Sequence, residues 1–333
     1  MSRVPDRMPI PTVAPSGPGA EADSVRPVRP AERPGRVRAG RSSVRARLIV
    51  NPTARRGRAA ATAPRVEDVL RSHGWAVQTT LTTSARHAVE VAERADPEDL
   101  LVALGGDGLL ARVAEGALAS GALVAPLPAG RGCDFIRAIG GSRDPMIACA
   151  ALPAAVETRV DVGLAGDRPF LGVATVGYDS AANRYANAAP AAVPSALVYA
   201  WGGARALATT RATRWSVDVD GRAHEFDGWN VAIGNSGRYG AGMKVNPAAS
   251  LTDGLLDVTT VEGLPRWRYP FLLPRLYAGS HIDGVTLRAD RGAAITVHAP
   301  ARQTVYADGD VVGRTPMTFT VLPGALRVLS ATV

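Results

Sequence analysis

Gly105-Gly106-Asp107-Gly108-Leu109 is the segment whose residue types and spacing are best suited to chemistry. It follows the apolar run Leu100 to Leu104 and precedes a helical pattern from Leu110 to Leu118. Glycines between a strand and a helix let backbone N–H groups approach a ligand without side chains in the way. The positive end of the helix then favours an anion, a phosphate above all. An acid at the centre of such a turn suits a metal ion beside those phosphates, so the segment predicts a nucleotide with its Mg²⁺. A second turn, Pro128-Ala129-Gly130-Arg131-Gly132-Cys133-Asp134-Phe135, also joins a strand to a helix. Taken alone, Asp134 reads as an N-cap, the commonest role for Asp there. Two such turns on adjacent strands of a parallel sheet open at the carboxyl ends, where ligands bind, and both Asp107 and Asp134 then face that crevice. Asn51-Pro52-Thr53-Ala54-Arg55-Arg56-Gly57 is a third loop at the same edge, either an ordinary turn before a helix or a phosphate loop with backbone donors and an Arg fork.

Rival readings of these turns are weaker. Gly106, Gly108 and Ala111 satisfy the G-x-G-x-x-A form of a dinucleotide fingerprint, but after the third strand, and no acid ends a strand about twenty residues later. No GK[ST] is present, so the turn is not a P-loop. Asp253-Gly254 and Asp308-Gly309-Asp310 read first as hairpin turns, as does Asp220-Gly221.

The elements that must position these turns alternate from Arg45 to Asp161. Strands are expected at Arg47 to Val50, Trp75 to Leu81, Leu100 to Leu104 and Leu123 to Ala125. Helices are expected at Arg58 to Ser72, from Ser84 to Ala95, after the glycine turn, and from Phe135 to Ile139. Alternation of this kind means a parallel sheet with helices on both faces. Near Asp161 the pattern changes to short alternating strands with tight turns at Ala165-Gly166-Asp167 and Asp220-Gly221. The second half is therefore expected to be a mainly-β sandwich, interrupted by apolar helical stretches at Ala192 to Leu207 and Pro265 to Leu276.

The bulk composition narrows the function classes. The net charge is +8, but residues 1–47 hold ten arginines against four acids, which leaves six of the eight excess charges in that stretch. Rich in Pro, Gly and Arg and without apolar periodicity, residues 1–44 read as a disordered tail, and the near-neutral body argues against nucleic-acid binding. For the tail itself, nucleic-acid binding and attraction to anionic lipid are equal alternatives to a merely solvated leader or a misassigned start codon. Cys133 and Cys149 are in no metal or redox spacing and are expected as thiols of a cytoplasmic protein. Five histidines form no HExxH pair, and no run of eighteen apolar residues exists to span a bilayer.

Taken together, the order and spacing of these segments resemble the diacylglycerol kinase catalytic superfamily, in particular the bacterial soluble lipid kinases related to sphingosine kinases. The resemblance runs over residues 45 to 333. It rests on Asn51-Pro52, the Gly-Gly-Asp-Gly turn, the Gly-x-x-x-Asp-Phe turn at Gly130 to Phe135, and Asp161-Val162-Gly163. It continues through Gly240 to Val245, Asp253 to Val258, Asp308-Gly309-Asp310 and Leu322-Pro323 to Leu329. The resemblance implies a nucleotide-binding α/β domain of the NAD kinase/diacylglycerol kinase kind over 45–160 and a lipid-substrate β-sandwich over 161–333, whose last strand returns to the first domain. By the same resemblance ATP sits on Gly105, Gly106, Asp107, Gly108, Leu109, Leu110 and Ala111, with Asn51, Pro52, Thr53, Ala54, Arg55, Thr82, Gly130 and Arg131 nearby. Asp107, Asp134 and Asp161 match an acidic trio that organises Mg²⁺-bound waters. Ser250, Asp253 and Leu255 match a second, structural Mg²⁺ site. Asp308 and Asp310 occupy the two acidic positions of the family's late Asp-Gly-Glu motif, which carries the general base.

Three departures from the family pattern stand out. Leu109 replaces a Thr, Arg131 and Cys133 replace Thr and Asn, and Asp310 is shorter than Glu by one methylene. The implied activity is ATP-dependent phosphorylation of a lipid hydroxyl, of the diacylglycerol or long-chain-base type. The alternatives are a catalytically impaired nucleotide- or lipid-binding module and an NAD kinase-like enzyme for a soluble alcohol. The implied partners are the lipid substrate and, through Trp267, Arg268, Tyr269 and Phe271, the inner face of a membrane; as a core helix that stretch would make no such contact. A homodimer stays open.

Overall fold

The computed structural model describes residues 44–190, 192–193 and 197–330, so the expected tail up to residue 43 and part of the stretch after Ala192 lie outside them. Strands β1 (Arg45–Val50), β2 (Ala76–Leu81), β3 (Leu100–Gly105) and β4 (Leu123–Pro128) pair in parallel in the order β2-β1-β3-β4. Helices α1 (Arg58–Ser72), α2 (Ala85–Glu93), α3 (Asp107–Ser120) and α4 (Asp134–Ala138) follow them in turn. Successive strand residues face opposite ways, and both faces are apolar here. Leu48 and Val50 pack with Ala59, Val66 and Leu70 of α1. Ile49 packs on the other side with Ala88 and Ala92 of α2 and Val113 of α3. Burial on both faces is why β3 and β4 read as unbroken apolar runs, whereas the edge strand β2 is largely exposed. At the start of α2 the Ser84 hydroxyl accepts the His87 N–H at 3.0 Å, the cap its sequence position predicts.

Strand β5 (Val156–Ala165) and the final strand, Met317–Ser330, run antiparallel to each other along nearly their whole length. The final strand also pairs in parallel with β4 at Val328–Val124. One hydrogen-bonded sheet network therefore continues from the α/β half into the β-rich half. The position near Asp161 where the sequence pattern changes falls inside β5. The remaining strands surround a core that includes Phe170, Val176, Trp215, Val217, Ile233 and Phe319. Hairpins close at Gly166, Gly221 and Gly309. Asp253-Gly254 is no hairpin: the strand after it, Leu256–Glu262, pairs with Arg222–Gly234 and Leu287–Gly292.

The helical additions differ from the sequence pattern. After α5 (Pro145–Ala151), helix α6 (Tyr178–Asn187) begins straight after a strand, and α7 spans Val198–Thr209 instead of Ala192 to Leu207. The Pro265 stretch is a 3₁₀ segment, Arg266–Phe271, running into α8 (Leu272–Ala278). Pro270 lies in the 3₁₀ segment and has no N–H to donate. Among the described residues no helix is long and apolar enough to cross a membrane.

Gly116 shows how tightly the first half is packed, since a Cβ there would lie 2.5 Å from the Val89 carbonyl oxygen and 2.6 Å from the Ala92 Cβ. Gly116→Ala is expected to pry α2 from α3 and cost about 2 kcal/mol, read as a lowered urea midpoint at unchanged slope.

Candidate active site

The two glycine turns meet backbone to backbone. A Cβ on Gly106 would stand 3.1 Å from the Gly130 Cα, and one on Gly130 would collide with the Gly106 backbone. Ala129 N–H donates to the Gly105 carbonyl at 2.7 Å, and the Cys133 thiol points to the same oxygen at 3.9 Å. Asp107 opens α3, and its Oδ1 accepts the Phe135 N–H at 3.1 Å, which ties one turn to the helix of the other. Between them, the place where a Cβ on Gly132 would sit is 3.2 Å from Asp107 Oδ2 and 3.0 Å from Asp134 Oδ2. Two carboxylate oxygens thus face one small volume that only a glycine leaves open.

Asp134 is buried. Its Oδ2 accepts the Ala241 N–H at 2.9 Å, from a loop of the second half. Its Oδ1 is buried without a hydrogen bond, with Arg137 Nε at 3.8 Å. Burial first, then the Asp107 charge, push the Asp134 pKa up, and the Ala241 N–H, Arg137 and Arg238 offset part of the rise.

From the β-rich half Asp308 reaches the same region. It adopts φ +49° at the head of its hairpin. Its two oxygens accept the Leu171 and Gly172 N–H groups at 2.7 and 2.8 Å. Burial raises its pKa to about 6 against those hydrogen bonds, and the Asp107 charge adds to the rise. Asp310 lies further out, 57% exposed, and its Oδ2 receives Arg112 Nη2 of α3 at 2.5 Å. Arg112 also holds Glu115 at 2.6 Å.

Other residues expected at the site divide into two groups. Asn51 Oδ1 accepts both the N–H and the hydroxyl of Thr53, at 3.0 and 2.9 Å, so it shapes the loop that holds Pro52 and Ala54. Arg55 adopts φ +49° and lies close enough to bias the Cys133 thiol downward, against its burial. Arg131 is exposed and has no hydrogen bond or ion pair with the described residues. Thr82 is buried and bonds the Val50 carbonyl at the end of β1. By contrast Leu109, Leu110 and Ala111 turn their side chains into the core. Leu110 N–H is spent on Gly106 O at 3.1 Å. A ligand at this turn therefore meets only the free N–H groups of the first helical turn, not these side chains.

Asp161, the third acid of the expected trio, is buried and engaged by backbone. Its Oδ1 and Oδ2 each accept a backbone N–H at 2.7 Å, from Gly324 and Gly254. Its own N–H goes to Leu251 O at 2.7 Å, and its carbonyl accepts Asn235 Nδ2 at 2.9 Å. It is a junction between β5, the bulge of the final strand and the Asp253-Gly254 turn. The expected second metal site also differs. Asp253 Oδ1 accepts Leu255 N–H at 3.1 Å and Oδ2 faces Arg291 Nη1 at 3.7 Å, while Ser250 Oγ accepts Thr252 N–H. The half-exposed Arg291 guanidinium stands beside the Asp253 carboxylate in this arrangement. Among the described residues no three Asp, Glu, His or Cys side chains converge as a ready ligand set.

Sequence reasoning missed several participants. Arg112 gave no signal beyond an i,i+3 pairing with Glu115. The Ala241 N–H and the Leu171-Gly172 N–H pair act through backbone, which carries no residue code. Asp179 is a further buried acid, with its pKa raised to about 6 by burial and its Oδ2 held by Asn230 at 2.5 Å and the Tyr239 hydroxyl at 2.8 Å.

What does this arrangement suit? The unpaired, buried Asp134 Oδ1 and the facing Oδ2 atoms fit a hydrated Mg²⁺ better than a second carboxylate pair. Free helix N–H groups beside them fit phosphate oxygens. An α/β half with acid-bearing glycine turns, joined to a β-rich half that adds further acids, is an arrangement suited to phosphoryl transfer.

Comparison with known proteins names the family. Residues 45–165 match the model for the diacylglycerol kinase catalytic domain, and residues 172–330 match that for the YegS C-terminal NAD kinase beta sandwich-like domain. The chain belongs to the diacylglycerol kinase catalytic-domain family. It is 31% identical over 265 residues to the "Probable lipid kinase YegS-like" protein of Pseudomonas putida, covering 78% of this chain and 87% of that one. It is 28% identical over 252 residues to the "Diacylglycerol kinase" of Mycobacterium tuberculosis, covering 74% and 81%. A crystal structure of a diacylglycerol kinase from Bacillus anthracis superposes with a TM-score of 0.68 at 19% identity, covering 86% of this chain and 96% of that one.

The charge coupling has a measurable consequence. The Asp308 carboxyl should titrate at about 6, and Asp107→Asn should move that midpoint down, because a like charge is removed. The folded value lies above the ordinary one, so the stability tied to this proton is complete below about pH 4 and is lost as the pH rises through the folded midpoint. Carboxyl ¹³C chemical shifts across the acid range read both; an Asp308 midpoint indifferent to Asp107→Asn contradicts the coupling.

Proposed function

We propose that this protein transfers the γ-phosphoryl group of ATP to the hydroxyl of a lipid, of the diacylglycerol or long-chain-base type. One observation carries the reading: Asp107 and Asp134 face a common volume between two touching glycine turns, with Asp308 and Asp310 arriving from the opposite half. Phosphoryl transfer asks for positioning and charge neutralisation more than covalent help. Mg²⁺ held through waters by Asp107 and Asp134 would supply charge neutralisation on the phosphates.

The chain's own residues then divide the work. Free N–H groups at the start of α3 bind phosphate oxygens, and the unpaired Arg131 adds a charged fork where the family carries a hydroxyl. Asp308 is locked by two peptide N–H groups, so it positions the Leu171-Gly172 turn. Asp310 is the more exposed acid, and only its Oδ2 is engaged by Arg112. We assign Asp310 as the acceptor of the hydroxyl proton and Arg112 as the residue that aims it. The impaired-module alternative loses part of its motive, because Leu109 lies in the core and not beside the phosphates.

The test is incubation of the purified chain with γ-labelled ATP, Mg²⁺ and a cellular lipid extract, followed by identification of the labelled product. Labelled lipid is expected; label in NAD and none in lipid supports the soluble-alcohol alternative, and no label at all supports the impaired module. Asp107→Ala should abolish transfer in a protein that still folds. Asp310→Asn should cut turnover by about 10²-fold or more with nucleotide binding retained. If Asp308→Asn alone removes turnover at unchanged stability, the two acids exchange roles.

A further inference from the structure

The Arg266–Ala278 segment presents the most exposed aromatic surface of the β-rich half. Trp267 and Phe271, one helical turn apart, are 65% and 69% exposed, with Leu273 and Tyr277 at 49% and 50%. Tyr269 and Leu272 of the same segment are buried against Trp229 and Leu287. The segment is thus neither a core helix nor a loose one. Its inner face is anchored, and its outer face holds large apolar side chains that gain nothing from water.

Charge beside this face is mainly positive, with two arginines against one acid lining a shallow groove there. Arg268 stacks over Trp267 at 5.0 Å and forms no ion pair with the described residues. Arg266 and Arg275 make hydrogen bonds only to carbonyl oxygens, of Thr210 and Ser280. Among the described residues lining the groove the acid is Asp283, whose Oδ1 accepts the N–H groups of Val285, Thr286 and Leu287. Against its burial, these bonds and the Arg275 charge hold its carboxyl below the usual range, so it offsets part of the positive charge. The groove, of about 380 Å³, lies between Trp267, Phe271 and Leu287, with Arg268 and Arg275 among its walls.

We propose that this face docks on an anionic lipid bilayer, with Trp267 and Phe271 inserted at the headgroup boundary and Arg266, Arg268 and Arg275 on lipid phosphates. Trp and Arg on one short amphipathic segment suit that boundary, where the ring is half-immersed and the guanidinium reaches back to the phosphates. The inference extends the lipid-kinase reading, because docking would bring the site to its substrate. Lys244 N–H bonds the Leu276 carbonyl at 2.9 Å, and Ala241 of the same loop donates to Asp134. The docking segment is therefore hydrogen-bonded to the loop that touches the proposed reaction centre.

Co-sedimentation of the full chain with vesicles tests the proposal without ATP or turnover, so it stands or falls apart from the kinase assay. Binding to phosphatidylcholine vesicles containing phosphatidylglycerol is expected, with much weaker binding to phosphatidylcholine alone. Trp267→Ala with Phe271→Ala should lower partitioning by about tenfold or more. Arg268→Ala with Arg275→Ala should lower it by about tenfold on anionic vesicles and leave the neutral ones unchanged. The fold is checked by circular dichroism, and turnover on a detergent-dispersed short-chain lipid should be unaltered in the Trp267/Phe271 variant. Undiminished vesicle binding in both double variants overturns the proposal and leaves membrane affinity to the arginine-rich first residues. A variant that changes the chain from dimer to monomer by light scattering, with vesicle binding unchanged, overturns it in favour of a second copy.

Discussion

Two like charges held together by a backbone contact are what the rest of this structure serves. The Gly106–Gly130 approach leaves no room for side chains, and it is this approach that makes Asp107 and Asp134 share a volume. Unit charges of like sign repel by about 3 kcal/mol at about 5 Å in a medium of effective dielectric constant about 20. A single hydrogen bond from a peptide N–H to a carboxylate contributes about 1.5–3 kcal/mol. The Ala241 N–H alone therefore does not fully offset the neighbour and the burial, and the Asp134 pKa stays raised. A site built this way calls for a cation, and Arg137 and Arg238 are only a partial answer because they sit to one side.

Holding such a pair open demands rigidity between the halves. Here the halves share strands: β5 and the final strand run through both, and the final strand pairs with β4 behind the second glycine turn. Asp161 closes this ribbon at its bend, where the register shifts between Leu322 and Leu326. Its buried carboxylate receives one N–H from the bulge and one from the turn before Leu256–Glu262. An acid whose two oxygens each accept a backbone N–H ties together the segments that supply them, whatever else it faces.

The first half was largely legible because its signals are local. Apolar runs, the Ser84 cap and the glycine turns each depend on residues within a few positions, and β1 to β4 with α1 to α3 follow from them. The facing of Asp107 and Asp134 followed from one further rule, that adjacent parallel strands open their turns on one side. Less of the second half was readable. Leu109 and Leu110 look like ligand residues in a motif, but a helix that begins at Asp107 must turn its third and fourth residues inward to cover β3. Asp308 and Asp310 have the spacing of a plain hairpin, and only tertiary contacts with Leu171, Gly172 and Arg112 separate one that is locked from one that is reachable. Contacts across 136 to 198 residues leave no trace in a short pattern.

The departures from the family pattern make sense when taken with the residues around them. A shorter acid at position 310 draws back from the cleft, yet Arg112 extends from α3 to meet it at 2.5 Å and fixes where its remaining oxygen points. Arg131 brings a charge where the family has a neutral hydroxyl, on an exposed turn where its burial costs little. Cys133 takes a left-handed conformation, φ +49°, that Asn adopts more readily, and its buried thiol fills the space against Gly105 with a weak hydrogen bond. Of these changes, the one at Asp310 is met by a neighbour outside the motif, Arg112. A cleft whose acids converge at the centre and whose arginines stand at the rim keeps its field under such exchanges, because the field depends on where charges sit and not on which residue carries them.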